Sequence, residues 1–182
     1  MANTSLADYI VVTDDVLSPS HCAALIERFE ASDQRQKAEL EGAFSFTQLD
    51  ITAAWPDQYE ILAKSIAEQA GAYQRQLDAR FWPPRFAFEH LRMKRYLPDG
   101  RDCFPPHVDV MRQDAARRFL AAMIYLNVPE AGETVFTDLD LTITPKAGRL
   151  VCFPPLWMFP HEGRPPLARP KYILTTYLCY PN

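Results

Sequence analysis

The sequence predicts an α+β protein that is mostly β, an antiparallel double sheet of jelly-roll type buttressed by N-terminal helices. Two observations carry this expectation. Of sixteen prolines only Pro19 and Pro56 precede residue 83, so long helices are permitted early and disfavoured late, because proline lacks the amide donor that a helix interior needs. The hydrophobic period also changes, from about 3.6 in the first half to two from Phe86 onward.

The elements follow in order. Residues 9–12, YIVV, read as a strand. Ser18 before Pro19 has the form of an N-cap with proline at the first helical position. Cys22, Leu25, Ile26 and Phe29 then recur at helical spacing, which predicts a helix over about 19–31. Residues 44–51, FSFTQLDI, alternate and read as a strand. From Asp57 to about Arg80, the residues Tyr59, Ile61, Leu62, Ile66, Ala70, Tyr73 and Leu77 form an apolar stripe, the mark of a long helix packed on a sheet. Eight segments then alternate at period two: FAFEHLRMKRYL, CFPPHVDV, FLAAMIYLNV, ETVF, LTIT, RLVCF, WMFPHEG and KYILTTYLCY. Turn signals such as Pro98-Asp99-Gly100 and Ala147-Gly148 separate them, and eight strands with no helix between them argue for an antiparallel sandwich or barrel. There is no internal repeat, low-complexity tract or linker. The 182 residues are therefore expected to form a single domain, with helical support over about 1–85 and a jelly-roll core over about 86–180.

Composition narrows the functional classes. A hydrophobic content of 48% and a charged content of 23% are ordinary globular values. The net charge of -4 argues against nucleic acid or an anionic membrane as partner, with Arg117 and Arg118 read as a solvated basic spot. Cys22, Cys103, Cys152 and Cys179 form no CxxC pair, so neither a zinc knuckle nor a redox dithiol is suggested, and free thiols in a reducing compartment are expected. The amino end lacks a basic n-region and a long apolar run, so the expectation is a soluble, cytoplasmic protein with no membrane partner.

The chemistry concentrates around FPPHVDV. In an extended segment residues i and i+2 point to one face, so His107 and Asp109 can direct an imidazole and a carboxylate at one point. Alone, such a pair is more often a structural hydrogen bond, and a third ligand is needed. His21 sits at the exposed start of a predicted helix, and His90 lies in an alternating segment as a cross-strand partner or pocket residue. His161 differs, because it follows an apolar run on a strand far along the chain that a two-sheet fold can bring opposite the first. Two histidines and one carboxylate suit a non-haem Fe(II) facial triad with open positions, whereas structural zinc is more often closed by four ligands. Lys171, Ile173, Thr175 and Tyr177 share one face of the last strand. If that face is inward, the Lys171 ammonium is held in an apolar cavity and calls for an anion, which a dicarboxylate chelating the metal at its other end would provide, with Thr175 or Tyr96 adding hydroxyl hydrogen bonds. Snorkelling of Lys171 to solvent is the alternative.

In this order and spacing HVDV, GETVF, KAGRLVCFPP and HEGRPPLARPKYILTTYL resemble the Fe(II)- and 2-oxoglutarate-dependent oxygenases of the prolyl 4-hydroxylase type, over roughly residues 90–180. The resemblance implies a double-stranded β-helix. It implies that His107, Asp109 and His161 ligate Fe(II), that Lys171 binds the distal carboxylate of 2-oxoglutarate, and that Tyr96 contacts the same co-substrate. It further implies hydroxylation of a C–H bond with O2 as oxidant and release of succinate and CO2, with ascorbate as a candidate reductant. Aspartate at 109 favours hydroxylation over halogenation. The turn motif usually written GGET has Ala131 for its first glycine, a departure expected to alter a turn and leave the metal site intact. A small-molecule or peptide substrate is expected, an amino acid, a peptidyl residue or a small metabolite, with contacts placed at Met111, Arg112 and Tyr177 and with Arg164 and Arg169 as further basic residues nearby. Two rivals are a cupin-like metal-binding jelly-roll protein without oxidative turnover, which usually carries an HxH cluster absent here, and a non-catalytic binding domain. The oligomeric state is left open, since an edge strand such as residues 9–12 can pair between chains.

Overall fold

The computed structural model describes residues 5–181. Among them the chain runs β1 (Val11–Thr13), α1 (Pro19–Ala31), β2 (Gln36–Leu40), β3 (Phe44–Asp50), α2 (Ile51–Ala54), α3 (Pro56–Gln76), β4 (Ala87–Phe88), β5 (Arg92–Tyr96), β6 (Phe104–His107), β7 (Arg118–Tyr125), β8 (Thr134–Phe136), β9 (Leu141–Ile143), β10 (Leu150–Phe153), β11 (His161–Gly163) and β12 (Lys171–Cys179). One sheet has the order β1-β10-β7-β12-β5-β3-β2, with β4 also paired to β12, and the second has the order β6-β11-β8-β9. The protein is thus mostly β, with antiparallel pairing throughout both sheets.

Alternation along the central strands builds two cores. On β12, Tyr172, Leu174 and Leu178 face Leu25 and Phe29 of α1 and Leu62, Ile66 and Tyr73 of α3. Ile173 faces the other way, into a second core with Tyr96, Tyr125, Phe136, Phe153 and Phe159, which lies between the sheets. The same switch occurs on β10, where Leu150 and Cys152 join the helix side and Val151 and Phe153 the inter-sheet side. A strand buried on both faces is nearly continuous in hydrophobicity, which is why KYILTTYLCY is so apolar.

Helix α1 begins as its sequence predicts: Ser18 accepts a hydrogen bond from the His21 amide, Pro19 opens the helix, and Cys22, Leu25 and Phe29 are buried. Other boundaries move. The long helix ends at Gln76 instead of near Arg80, because Asp78 adopts a left-handed φ of 45° that stops it. The first strand begins at Val11, after a 3-10 turn over Leu6–Tyr9. The expected strand over 44–51 gains a hairpin partner, β2, which the sequence reading missed. Its burial pattern shows why, since β2 is largely exposed and has no apolar alternation. The segment expected as one strand over 86–97 is two, β4 and β5, with His90 between them. Gly148 is required by geometry: its φ is 77°, and a Cβ there would stand 2.1 Å from the Leu17 carbonyl oxygen. The four cysteines are unpaired. No helix among the described residues is long and apolar enough to cross a membrane.

Candidate active site

Strand β11 joins the two halves of the site. It pairs with β6 so that His161 stands directly opposite His107, and the imidazole centroids lie 4.4 Å apart. Asp109 follows β6 after its last strand residue, and the chain there is pinned by the Val110 amide donating to the Pro155 carbonyl at 3.1 Å. Asp109 places Oδ1 3.7 Å from His107 Nε2 and Oδ2 3.8 Å from His161 Nε2. One ligand atom from each of the three residues lies within 4.8 Å of the others. No other group of three or more His, Cys, Asp or Glu residues among those described is so arranged.

The surroundings set the imidazoles for ligation. His107 Nδ1 is 2.8 Å from the Pro105 carbonyl and His161 Nδ1 is 3.1 Å from the Phe159 carbonyl. A carbonyl only accepts, so both Nδ1 atoms carry the proton and both Nε2 lone pairs face Asp109, the tautomer a metal ligand needs. Phe104 stacks on His107 at 3.6 Å, and Phe136 and Phe153 flank His161. Burial lowers the His161 pKa and so favours its neutral, ligating form, although Asp109 pulls the other way. Burial raises the Asp109 pKa, but the His107 and His161 imidazoles when they are protonated, together with a hydrogen bond from Tyr177, outweigh it and hold the carboxyl at about 2; with both imidazoles neutral, the Tyr177 hydrogen bond is the contact that still favours the ionised carboxylate. This donor set fits Fe(II): two neutral nitrogens and one ionised carboxylate from one side, with the cavity on the other.

The cluster opens on a cavity enclosing about 530 Å³ of atom-free space, part of it open to solvent, with Lys94, Tyr96, Lys171, Thr175 and Tyr177 in its lining. Lys171 is 2% exposed. Its ammonium donates to the carbonyls of Gly132 at 3.1 Å and Arg164 at 3.0 Å and lies 4.6 Å from the Tyr96 ring. Among the described residues no carboxylate pairs with it, and burial pulls its pKa down to about 8. Lys171 therefore does not snorkel. It is a buried cation with one donor to spare, and its neighbour Tyr96 has a phenol without a hydrogen-bond partner among the described residues.

Two placements correct the sequence reading. Arg118 is not a solvated residue: it forms a two-point pair with Glu89 at 2.8 Å, donates to the Asp109 carbonyl at 2.9 Å and lies 3.9 Å from the Tyr177 ring. Tyr177 donates to Asp109 Oδ1 at 2.6 Å, so its hydroxyl orients the carboxylate. Lys94 lines the cavity and was missed, although its place two residues before Tyr96 on an alternating strand was the available signal. Met111 is 74% exposed and Arg112 pairs with Asp114, both outside the cavity lining. His21 bonds Gln58 and His90 pairs with Asp50 at 2.6 Å, so neither lies in the cavity. Arg164 pairs with Glu162, and Arg169 is exposed. Ala131 adopts φ 61° beside Gly132 at 83°, so the turn keeps its left-handed form without the usual glycine.

Two antiparallel sheets enclosing a two-histidine, one-carboxylate cluster beside a buried cation are the outline of a non-haem iron oxygenase. Residues 91–179 match the family model of the 2OG-Fe(II) oxygenase superfamily. A search of the curated proteins gives no match. Among solved structures, the viral collagen prolyl hydroxylase of Paramecium bursaria Chlorella virus-1, in its 2-oxoglutarate complex, aligns with a TM-score of 0.73 at 22% identity over 93% of this chain and 95% of that one. A Pseudomonas putida prolyl-4-hydroxylase aligns at 0.71 and 22% identity over 96% and 94%. A Trichoplax adhaerens prolyl hydroxylase in complex with a hypoxia-inducible-factor oxygen-degradation-domain peptide aligns at 0.74 and 15% identity over 94% and 84%. These likenesses show a fold of the prolyl 4-hydroxylase type, and the matched family is one of Fe(II)- and 2-oxoglutarate-dependent oxygenases.

Proposed function

We propose that His107, Asp109 and His161 hold the Fe(II), that Lys171 binds the distal carboxylate of 2-oxoglutarate, and that Tyr96 and Thr175 add hydroxyl contacts to it. On this reading the two sheets form a double-stranded β-helix over about 86–180, and residues 1–182 act as one domain. One observation carries the reading: the buried Lys171 ammonium has no carboxylate in contact with it among the described residues and lines the same cavity as the cluster. An unpaired charge in a low-dielectric site is costly, and a dicarboxylate spanning from Lys171 to the metal removes that cost.

Bound Fe(II) supplies the redox chemistry that couples 2-oxoglutarate decarboxylation to C–H hydroxylation. The chain does the rest. The Pro105 and Phe159 carbonyls hold both imidazoles in the ligating tautomer. Tyr177 occupies Asp109 Oδ1 and leaves Oδ2 as the freer oxygen, while Arg118 ties the Asp109 backbone to Glu89. Phe104, Phe136 and Phe153 exclude water around the ligands. The substrate is a peptide or small molecule offering a C–H bond at the open side of the cavity. Val110 bonds Pro155, which ties the loop bearing exposed Met111 to the loop bearing exposed Trp157, and these apolar residues suit substrate contact there. A cupin-like metal protein without turnover would have no use for a buried dicarboxylate anchor.

The test is anaerobic addition of Fe(II) and 2-oxoglutarate to metal-free protein, watching for the weak visible charge-transfer band of a chelated 2-oxo acid. The band should appear and be lost in Asp109→Ala and His161→Ala. Iron binding without the band would overturn the assignment of the co-substrate pocket.

A further inference from the structure

Lys94 is a second cation in the same cavity. Strand β5 pairs with β12 so that Tyr96 faces Lys171 and Lys94 faces Ile173. Lys94 and Lys171 are thus diagonal neighbours on one wall, with backbones roughly 7–8 Å apart. The Lys94 ammonium lies 4.8 Å from the Phe46 ring centroid and 5.7 Å from that of Phe104. Phe104 is the ring stacked on His107, so Lys94 stands on the metal-ligand side of Lys171. Unlike Lys171, it has no carbonyl, hydroxyl or carboxylate partner among the described residues, and aromatic faces replace only part of the lost hydration. Burial pulls its pKa down to about 8, with the Asp109 charge acting against that shift. Two ammoniums against the single carboxylate of Asp109 leave the cavity cationic, the sign a dianion requires.

We propose that Lys94 pairs with the oxo-acid carboxylate of 2-oxoglutarate, so that this chain holds the co-substrate between two lysines, Lys171 at the distal end and Lys94 at the metal end. The proposal rests on the functional reading above and deepens it. A co-substrate gripped at both ends gains affinity from each carboxylate separately, which makes the two contributions separable with an analogue that carries only one. Lys94 is then a binding residue for the half of the ligand that reacts.

The experiment is calorimetric titration of Mn(II)-loaded protein, under nitrogen, with 2-oxoglutarate and with 2-oxopentanoate, which keeps the oxo-acid end and lacks the distal carboxylate. Lys94→Met should weaken binding of both ligands about tenfold or more, the loss expected for one charge-assisted hydrogen bond. Lys171→Met should weaken 2-oxoglutarate alone. Lys94→Gln, which keeps polarity without charge, should show the same loss, and both Lys94 variants should melt near wild type in the metal-free state, since they remove a half-buried charge that has no hydrogen-bond partner among the described residues. If Lys171→Met is weakened and Lys94→Met is unchanged for both ligands, the proposal fails alone. An unchanged co-substrate affinity with a raised substrate KM would overturn it in favour of a carboxylate on the primary substrate. A wild type that binds no 2-oxoglutarate would overturn the underlying functional reading as well.

Discussion

Replacing Lys171 by methionine tests the co-substrate anchor most directly. The ammonium has three donors, and two are committed to the Gly132 and Arg164 carbonyls, so one charge-assisted bond remains for a ligand carboxylate. Such a bond is worth roughly 1.5–3 kcal/mol, which is a rise in Kd of about tenfold to about 150-fold. The assay is the anaerobic charge-transfer titration with Fe(II). Wild type and Lys171→Met should differ strongly for 2-oxoglutarate and little for 2-oxopentanoate, whose missing carboxylate already forfeits the contact. Methionine keeps the apolar stem that fills the space beside Gly132, where a Cβ would lie 3.1 Å from Lys171 Cδ, so a thermal melt near that of wild type separates lost binding from lost folding. A 2-oxoglutarate affinity within about threefold of wild type would refute the anchor and move the role to another cation.

Four further outcomes are expected. Because the free Lys171 sits near pKa 8 and a carboxylate partner raises it, 2-oxoglutarate affinity should hold below about pH 8. It should then fall by about a decade per unit above that for each titrating lysine, a slope that Lys171→Met reduces; a flat profile to pH 9.5 in wild type would contradict this. Tyr177→Phe removes the 2.6 Å bond to Asp109 and should weaken Fe(II) binding by about tenfold, within the range for a partner that orients a metal ligand, as read by competition with a chelator. His161→Ala should abolish Fe(II) binding and turnover while the far-ultraviolet circular dichroism stays that of wild type, and surviving activity would unseat the third ligand. Gly148→Ala should destabilise the protein by more than about 2 kcal/mol in urea denaturation, because a left-handed φ and a 2.1 Å approach to Leu17 leave no room for a Cβ.

Much of this protein is legible in one dimension because its signals are local or periodic. Ser18 and Pro19 start α1 through contacts within a single turn. The period of two along residues 171–178 sorts Lys171, Ile173, Thr175 and Tyr177 from Tyr172, Leu174, Thr176 and Leu178, and the two cores follow that division. The spacing of His107 and Asp109, with one later histidine after an apolar run, also anticipates the cluster that the fold assembles. Strand β2 escapes notice because an exposed edge strand has no buried face to impose alternation. The register that sets His161 opposite His107 belongs to pairing between strands more than fifty residues apart, which no local pattern encodes. Arg118 and Lys94 look like surface charges in the sequence, since a charged side chain is usually solvated. Only the pairing of β7, β12 and β5 beside one cavity turns Arg118 into a brace for Asp109 and Lys94 into a cation with no carboxylate partner among the described residues. The sequence by itself determined the residue chemistry and the face each side chain takes along its strand. The tertiary structure decided which of those faces meet, because burial and the unpaired charge it creates exist only once both sheets have closed.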